Sequence, residues 1–212
     1  MKKRGQFYIL VALVIGIIIF LIVSQTNIFL QKDPSTDIRA LSENYIVESN
    51  KLINTLIGAK RENISEVLSQ ATTTFVYEYA KTRDPKFGLV YVFTNEDKAV
   101  IENYLDAKVV IDGGETLANP EERYNLGTIE LGGIKIPQGY TYSQIQIEFP
   151  DLFELVLKEK FVSEVNINEG DHLILDIDGI QYYFVVGDTV ELNAVARRIE
   201  GGQIQIFQTQ RT

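Results

Sequence analysis

Cysteine is absent from this sequence of 212 residues, and histidine occurs once, at position 172. Without cysteine the chain has no disulfide framework, no thiolate nucleophile and no cysteine-ligated zinc site. A single histidine excludes metal sites that need two, and any Ser-His-Asp triad would have to use His172. No G-x-S-x-G motif is present to place a nucleophilic serine. The remaining sequence shows no catalytic constellation, so we expect neither an enzyme nor a cofactor.

Basic residues are few and unevenly placed. The first thirty residues contain Lys2, Lys3 and Arg4 and no acid, and the rest of the chain has 17 basic and 29 acidic residues, a formal charge of −12. Such a surface repels phosphate backbones, so we expect no nucleic-acid partner. Apolar residues make up 45% of the chain and charged residues 23%. These values are close to the globular average, and a folded core is expected.

The strongest signal is a long uncharged run. Residues 7–23 read FYILVALVIGIIIFLIV, and apolar residues resume at Ile28. At about 1.5 Å per residue, a transmembrane helix over residues 6–30 covers a hydrocarbon core of about 30 Å. The cations of residues 1–5 favour the cytoplasmic side. We therefore predict a single-pass protein of the cell membrane, with the lipid bilayer as a partner, a cytoplasmic N-terminus and an extracytoplasmic C-terminal domain.

The residues before this run indicate processing. No A-x-A cleavage site follows Val23, so the apolar segment is expected to stay in the mature protein. The stub ends in Arg4-Gly5-Gln6 directly before the apolar run, an arrangement that resembles the class III signal peptide of archaeal type IV pilin-like proteins. Bacterial members of that family carry a glutamate as the fifth mature residue, where this chain has Leu10. Archaeal relatives commonly lack that acid.

The resemblance implies further properties. In that family a prepilin-type peptidase cuts after the glycine, which implies a scissile bond between Gly5 and Gln6 and a removable leader of residues 1–5. The resemblance also implies other pilin-like subunits as partners. Residues 79–91, which follow the helical stalk, read YAKTRDPKFGLVY. This segment is similar to one in a group of uncharacterised archaeal anchored proteins. That likeness covers about the first hundred residues and implies no activity.

Residues 35–83 carry a helical pattern. Asp33-Pro34-Ser35-Thr36 combines a break with side chains that can cap a helix. Apolar residues then recur at spacings of three, four and seven; they are Ile38, Leu41, Tyr45, Leu52, Ile53, Leu56 and Ile57. After Gly58 a second helix is predicted from about Asn63 to Lys81, making either a hairpin or one bent helix. We expect this amphipathic stalk to pack against the sheet that follows.

One glycosylation sequon lies between these helices. Asn63-Ile64-Ser65 fits N-x-S/T with x other than proline and lies on the side predicted to be extracytoplasmic. Asn63 is therefore a candidate for N-glycosylation.

Residues 85–212 change to short apolar or alternating runs punctuated by glycine, which is typical of a mostly antiparallel sheet. Strands are predicted at residues 87–94, 108–111, 145–149, 172–176, 180–186, 190–199 and 203–208, with a loop at 113–123 and a hairpin over 127–136. Residues 96–105 and 153–161 fit either a helix or a strand. The predicted fold class is α+β: an N-terminal transmembrane helix, a helical stalk and a sandwich-like or curled antiparallel sheet.

The clearest local structure surrounds Asp178-Gly179, which favours a type I′ turn between two β-rich runs. Asp176 and Asp178 lie two residues apart and, with Glu169 and Asp171, could be calcium ligands or a catalytic acid pair. A calcium loop needs a longer oxygen-rich run than Asp-Ile-Asp-Gly supplies. The hairpin interpretation is therefore favoured, and no metal site is expected.

Three functions fit this pattern. The first is a pilin-like surface protein, either a minor filament subunit or a monomer anchored by the pilin helix, with a structural or binding role and no catalysis. The second is a plain single-pass anchored envelope or binding module in which the likeness of the stub is accidental. The third, an anchored hydrolase of unknown substrate, requires a site that the sequence does not reveal.

Overall fold

The computed structural model describes residues 38–112, 114–123, 130–131, 134–135, 139–187 and 189–209. The predicted leader of residues 1–5, the predicted transmembrane helix of residues 6–30 and the predicted cap at Ser35-Thr36 lie outside these residues. In the described ranges, no helix is both long and apolar enough to cross a bilayer.

Two antiparallel helices come first. Helix α1 spans Ile38–Gly58, and α2 spans Ile64–Thr74 and continues through a π-helical segment, Phe75–Ala80, and a last turn, Lys81–Arg83. The hydroxyls of Tyr45 and Thr72 are 3.0 Å apart, although 27 residues separate them in the chain. The helices therefore form a hairpin rather than one bent helix. Both fall where the apolar spacing predicts them.

The remaining elements are short. The strands of the described residues are β1 (Phe87–Asn95), β2 (Lys98–Asn103), β3 (Val109–Ile111), β4 (Thr116–Leu117), β5 (Glu130–Leu131), β6 (Ile134–Lys135), β7 (Val162–Asn166), β8 (His172–Ile177), β9 (Ile180–Val185), β10 (Glu191–Glu200) and β11 (Gln203–Gln208). The helices between β6 and β7 are α3 (Tyr142–Glu148) and α4 (Pro150–Val156), followed by a 3-10 turn, Lys158–Lys160.

The strands form two larger sheets and one small hairpin. The order is β11-β10-β1-β2-β7 in the first sheet and β4-β3-β8-β9 in the second, and β5 pairs with β6. Every strand pair is antiparallel. The predicted α+β class with mostly antiparallel sheets is thus confirmed.

Three layers enclose two apolar cores. One core lies between the sheets and includes Val90, Ile101 and Leu175. The other lies between the five-stranded sheet and the helical hairpin and includes Leu41, Leu68 and Tyr91. The stalk therefore packs on the sheet, as its apolar stripe predicts.

Strand β1 lies at the centre of these layers. Eight of its nine residues are buried, because the helical hairpin covers one face and the second sheet the other. A strand buried on both faces has an unbroken apolar run instead of alternation, and residues 87–93 read FGLVYVF. At Gly88 an added Cβ would lie 3.0 Å from the Cα of Leu105 and 3.0 Å from the carbonyl oxygen of Tyr104.

The strand predicted at residues 145–149 is wrong, since this segment belongs to α3. Thr141 begins the helix with a capping box, in which its side chain and that of Gln144 each accept from the other residue's backbone N–H. Ile145 is fully buried and Ile147 is 55% exposed, so the apolar alternation does not mark one buried face. Pro150 occupies the first turn of α4, where a missing N–H costs nothing.

The two ambiguous segments have different outcomes. Residues 98–103 form β2, and residues 150–160 form α4 and the 3-10 turn. The predicted loop at 113–123 contains the two-residue strand β4.

The turn predicted at Asp178-Gly179 is confirmed and Gly201-Gly202 forms a second turn of the same kind, whereas the centre of the hairpin predicted over 127–136 lies outside the described residues. Asp178 and Gly179 have φ of +52° and +83°, and Gly201 and Gly202 have +57° and +81°. Positive φ at both central residues is what a type I′ turn requires. The carboxylate of Asp176 accepts from the backbone N–H of Gly179 at 2.8 Å, which holds the first of these turns.

Candidate binding cleft

A cleft of about 390 Å³ lies between α2 and the pair α3–α4. One wall is a polar face of α2, and the other comes from the two short helices and Lys158. Its lining is Glu66, Ser69, Gln70, Thr73, Thr74, Gln146, Pro150, Asp151, Phe153, Glu154 and Lys158. Clefts of this size are large enough for a small molecule.

The wall from α2 follows from helical spacing. Glu66, Gln70 and Thr73 recur every three or four residues and so share one face of the helix. The buried residues Ile64 and Leu68 lie on another face, which packs into the apolar core above the five-stranded sheet. The polar face of α2 is thereby free to line the cleft.

Glu102 lines a small cavity next to this cleft. The cavity has a volume of about 10 Å³, room for about one water molecule, and shares Ser69, Gln146 and Lys158 with the cleft. Glu102 is only 3% exposed. A carboxyl group is therefore buried next to a solvent-accessible cleft.

A chain of hydrogen bonds joins the cleft wall to this carboxyl. The side-chain amide of Gln146 donates to the hydroxyl of Thr73 at 3.2 Å, and that hydroxyl lies 2.9 Å from the hydroxyl of Tyr104. Tyr104 in turn donates to Glu102 Oε2 at 2.7 Å. A group bound at Gln146 can thus act on Glu102 through two hydroxyls.

Aromatic rings surround the carboxyl. Tyr91 stacks on Tyr104 with ring centroids 6.5 Å apart, and Tyr77 meets Tyr104 edge-on at 6.1 Å. Burial raises the pKa of Glu102, and hydroxyl donors and Lys158 offset only part of that rise. Burial, followed by the Glu102 carboxyl, raises the pKa of Tyr91 and Tyr104 well above their ordinary value, so both phenols stay protonated.

The cleft is acidic at its rim. Burial lowers the pKa of Lys158, but the Glu154 carboxylate, 2.8 Å from its ammonium, and the charges of Glu102 and Glu66 raise it by more. Lys158 is therefore charged at neutral pH. Three rim carboxylates, those of Glu66, Asp151 and Glu154, outnumber this one ammonium. The cleft suits neutral polar or cationic ligands better than anions.

The residues considered from sequence lie elsewhere. His172 is exposed at the start of β8. Asp176 accepts from the backbone N–H of Gly179 within the β8–β9 turn. Asp178 pairs with the buried guanidinium of Arg197 at 2.5 Å. Asp171 accepts from the backbone N–H of Asn168 at 2.7 Å. The part of the chain that is described contains no group of three or more His, Asp or Glu side chains arranged to hold a metal ion.

The structure describes one of the two predicted modification sites. Asn63 is exposed between α1 and α2, and its side chain makes no capping hydrogen bond to α2. Gly5 and Gln6, the predicted peptidase site, lie outside the described residues.

Sequence reasoning missed Glu102. In KAVIEN of β2, Ala99 and Ile101 face the core between the sheets, and alternation then predicts that Glu102 faces solvent. Its actual neighbour across the strand pair is Tyr91, under the helical hairpin. The sequence feature that could have revealed this burial is the unbroken apolar run of β1, because such a run indicates a sheet that is covered on both faces.

Comparisons with known proteins returned no match, since no family model, no curated protein and no solved structure is significantly similar to this chain.

Proposed function

We propose that this chain is a membrane-anchored, extracytoplasmic, pilin-like surface protein with a structural or binding role and no catalysis. The proposal rests on one observation: Arg4-Gly5-Gln6 stands directly before the charge-free run of residues 7–23. This order suits a segment that first targets the chain and then remains as its anchor. The partners are the lipid bilayer, a prepilin-type peptidase and other pilin-like subunits.

Charge supports this orientation. The cations of residues 1–5 favour the cytoplasmic side. The 17 basic and 29 acidic residues beyond position 30 give the outer part a formal charge of −12. The exposed sequon at Asn63 is then on the side of the membrane where glycosylation occurs.

The cleft between α2 and α3–α4 supports a binding role for the outer domain. Its volume suits a small molecule, its walls offer hydroxyl and amide groups, and its rim carries more acids than bases. We therefore place the ligand class among neutral polar or cationic small molecules. The same cleft also favours a second candidate, a plain anchored binding module that does not enter a filament.

The mature N-terminus tests the first proposal. Full-length protein purified from membranes that contain a prepilin-type peptidase should begin at Gln6 by intact mass and Edman sequencing. A Gly5→Phe variant, which keeps all three cations and the apolar run, should retain residues 1–5, because the family that the stub resembles is cut after this glycine. Wild-type protein that keeps residues 1–5 beside an active peptidase contradicts processing and leaves the plain anchored module.

Electron microscopy separates the two candidates. Cell surfaces expressing the processed protein should carry filaments that label with an antibody to the outer domain. Dispersed label with no filament would favour the anchored module.

A further inference from the structure

Glu102 is a buried acid without a cationic partner. It is 3% exposed, and its carboxyl accepts from the Tyr104 hydroxyl at 2.7 Å. In the part of the chain that the structure describes, no ammonium or guanidinium forms an ion pair with Glu102, and Lys158 pairs with Glu154 instead at 2.8 Å. Buried carboxylates are ordinarily paired with a positive charge. The ionised form of Glu102 therefore lacks a cation that the folded chain does not supply.

The cavity beside Glu102 adjoins the cleft between α2 and α3–α4. The two spaces have five lining residues in common, namely Ser69, Gln146, Phe153, Glu154 and Lys158. The cavity has a volume of about 10 Å³, which is room for about one water molecule. A ligand in the cleft can therefore extend one group of about that size towards the Glu102 carboxyl.

A primary ammonium group meets both requirements of this cavity. It is compact, carries a positive charge and offers three N–H donors. A guanidinium group is planar and larger, and a trimethylammonium group carries three methyl groups in place of its N–H donors. A hydroxyl group has the right size but brings no charge.

The cleft itself favours a cation with a polar body. The carboxylates of Glu66, Asp151 and Glu154 outnumber the ammonium of Lys158 at its rim, and such an excess raises the local concentration of cations. These rim acids would attract any cation, whereas the buried Glu102 selects one with a small head. The hydroxyl and amide groups of the walls belong to Ser69, Gln70, Thr73, Thr74 and Gln146.

We propose that the cleft binds a small polar molecule with a primary ammonium group, and that this group enters the cavity and pairs with the Glu102 carboxylate. The inference rests on the binding role proposed for the cleft and adds the group that is recognised and the residue that recognises it. Glu102 is then a specificity-determining residue. The inference does not depend on cleavage at Gly5 or on entry into a filament.

Binding of such a ligand is linked to the ionisation of Glu102. Burial raises the pKa of Glu102, and an ammonium ion beside it favours the carboxylate. The affinity should therefore rise as pH rises through the raised pKa of Glu102, and binding should release a proton. Nearby phenols stay protonated and Lys158 stays charged between pH 5 and pH 8. The ionisable groups around Glu102 and Lys158 are Tyr45, Glu66, Tyr77, Tyr91, Tyr104 and Glu154.

A matched set of three ligands tests the recognition of an ammonium group. 1,4-Diaminobutane, 1,4-butanediol and 1,4-bis(trimethylammonio)butane share one spacer and differ in their end groups. Isothermal titration calorimetry uses the full-length protein in nanodiscs of zwitterionic lipid, with empty nanodiscs as the blank. At pH 8 the diamine should bind about tenfold or more tightly than the diol and the bis-trimethylammonium compound.

Glu102→Gln tests the residue. The amide keeps the shape of the carboxyl group and removes its charge, so diamine binding at pH 8 should weaken by about tenfold or more. The rise in affinity from pH 5 to pH 8 should disappear as well. Glu164→Gln is the control, because Glu164 lies on β7 and its side chain is 63% exposed. This variant should keep both the affinity and its pH dependence, and melting temperatures show that each variant folds.

The outcomes separate this inference from the proposals on which it rests. Equal binding of the three compounds, tighter binding of the bis-trimethylammonium compound, or equal effects of Glu102→Gln and Glu164→Gln each contradict the ammonium site. These results leave the cleft as a binding site for other ligands. Failure of all three compounds to bind overturns the inference too, while the mature N-terminus still decides anchoring and processing.

Discussion

At Glu102 a carboxyl group lies within an aromatic layer, because the helical hairpin covers the face of β2 to which this residue belongs. A neutral acid is compatible with such a site and a carboxylate is costly. The hydrogen bond from Tyr104, at 2.7 Å, holds the group in place. The same residue adjoins the cleft, and hydrogen bonds through Tyr104 and Thr73 connect it to Gln146 in the cleft wall.

Glu102→Gln should change the pH dependence of stability. Burial raises the pKa of Glu102 in the folded state, so its stabilising contribution is complete below the ordinary carboxyl pKa and is lost as pH rises through the raised folded value. The amide cannot ionise and escapes this loss. Melting temperatures should therefore show Glu102→Gln more stable than wild type at pH 8 and no more stable at pH 4.

The control for this experiment is Glu164→Gln on the neighbouring strand β7. The side chain of Glu164 is 63% exposed, so the exchange removes no buried carboxyl. Its effect on the melting temperature should be small and similar at both pH values. A Glu102→Gln profile parallel to wild type would contradict the burial of an ionisable group.

Asp178→Asn should show how much the ion pair between Asp178 and Arg197 contributes to stability. The side chain of Arg197 is 7% exposed and that of Asp178 51%, and the two are 2.5 Å apart. Asparagine tolerates the φ of +52° at this position. The variant should therefore keep the turn and lose about 1–3 kcal/mol of unfolding free energy, because a buried cation loses its charged acceptor.

Urea denaturation measures that loss. Asp176→Asn, two residues away, also removes a carboxylate, but its side-chain oxygen can still accept from Gly179. It should cost clearly less than Asp178→Asn. Equal losses would mean that the turn, and not the pairing with Arg197, determines the stability.

At the scale of elements, β1 couples the two cores. Its side chains alternate between the core under the helices and the core between the sheets. The chain segment at Tyr104 and Leu105 crosses close to Gly88, where no side chain fits. Any change in β1 is therefore felt in both layers.

Gly88→Ala should destabilise the protein by about 1–3 kcal/mol, the usual cost of forcing an extra methyl group into packed structure. The new Cβ would lie 3.0 Å from two backbone atoms that cannot rotate away. Gly58→Ala is the control, since a Cβ there meets nothing within 4 Å. Chemical denaturation should show that Gly58→Ala is neutral or slightly stabilising, and a neutral Gly88→Ala would contradict the close approach.

At the scale of the whole molecule, residues 38–209 contain the complete set of described cores. Besides the two cores of the layered sheets, a third small core packs α3 and α4 around Ile145, Phe153 and Phe161. All three cores are built from side chains of the described residues, so a chain that keeps those residues keeps the cores.

A chain shortened to residues 35–212 should therefore fold as a water-soluble protein. Its cooperative melting temperature, measured by circular dichroism, should lie close to that of the full-length protein in detergent. The full-length protein should remain in the membrane fraction after alkaline carbonate extraction. Aggregation or loss of the cooperative transition on removal of residues 1–34 would show that the outer unit depends on the N-terminal segment.

The local elements were predictable because their physical causes are local. The spacing of Leu41, Tyr45 and Leu56 is a property of the helix itself, and a type I′ turn at Asp178-Gly179 follows from the residues that tolerate positive φ. The two stalk helices, most of the strands and the antiparallel α+β class were therefore within reach of the sequence, whereas the choice between a hairpin and one bent helix was not.

Burial is different, because it depends on which other elements cover a face. Alternation along β2 would place Glu102 in solvent, and only the helical hairpin over the sheet buries it beside the cleft. A period of two at Ile145, Ile147 and Phe149 suggested a strand, but the cap at Thr141 and packing in the third core made a helix. The sequence alone determined the charge-free run, the turns and the helical stripes, while the tertiary structure decided the cleft and the buried acid.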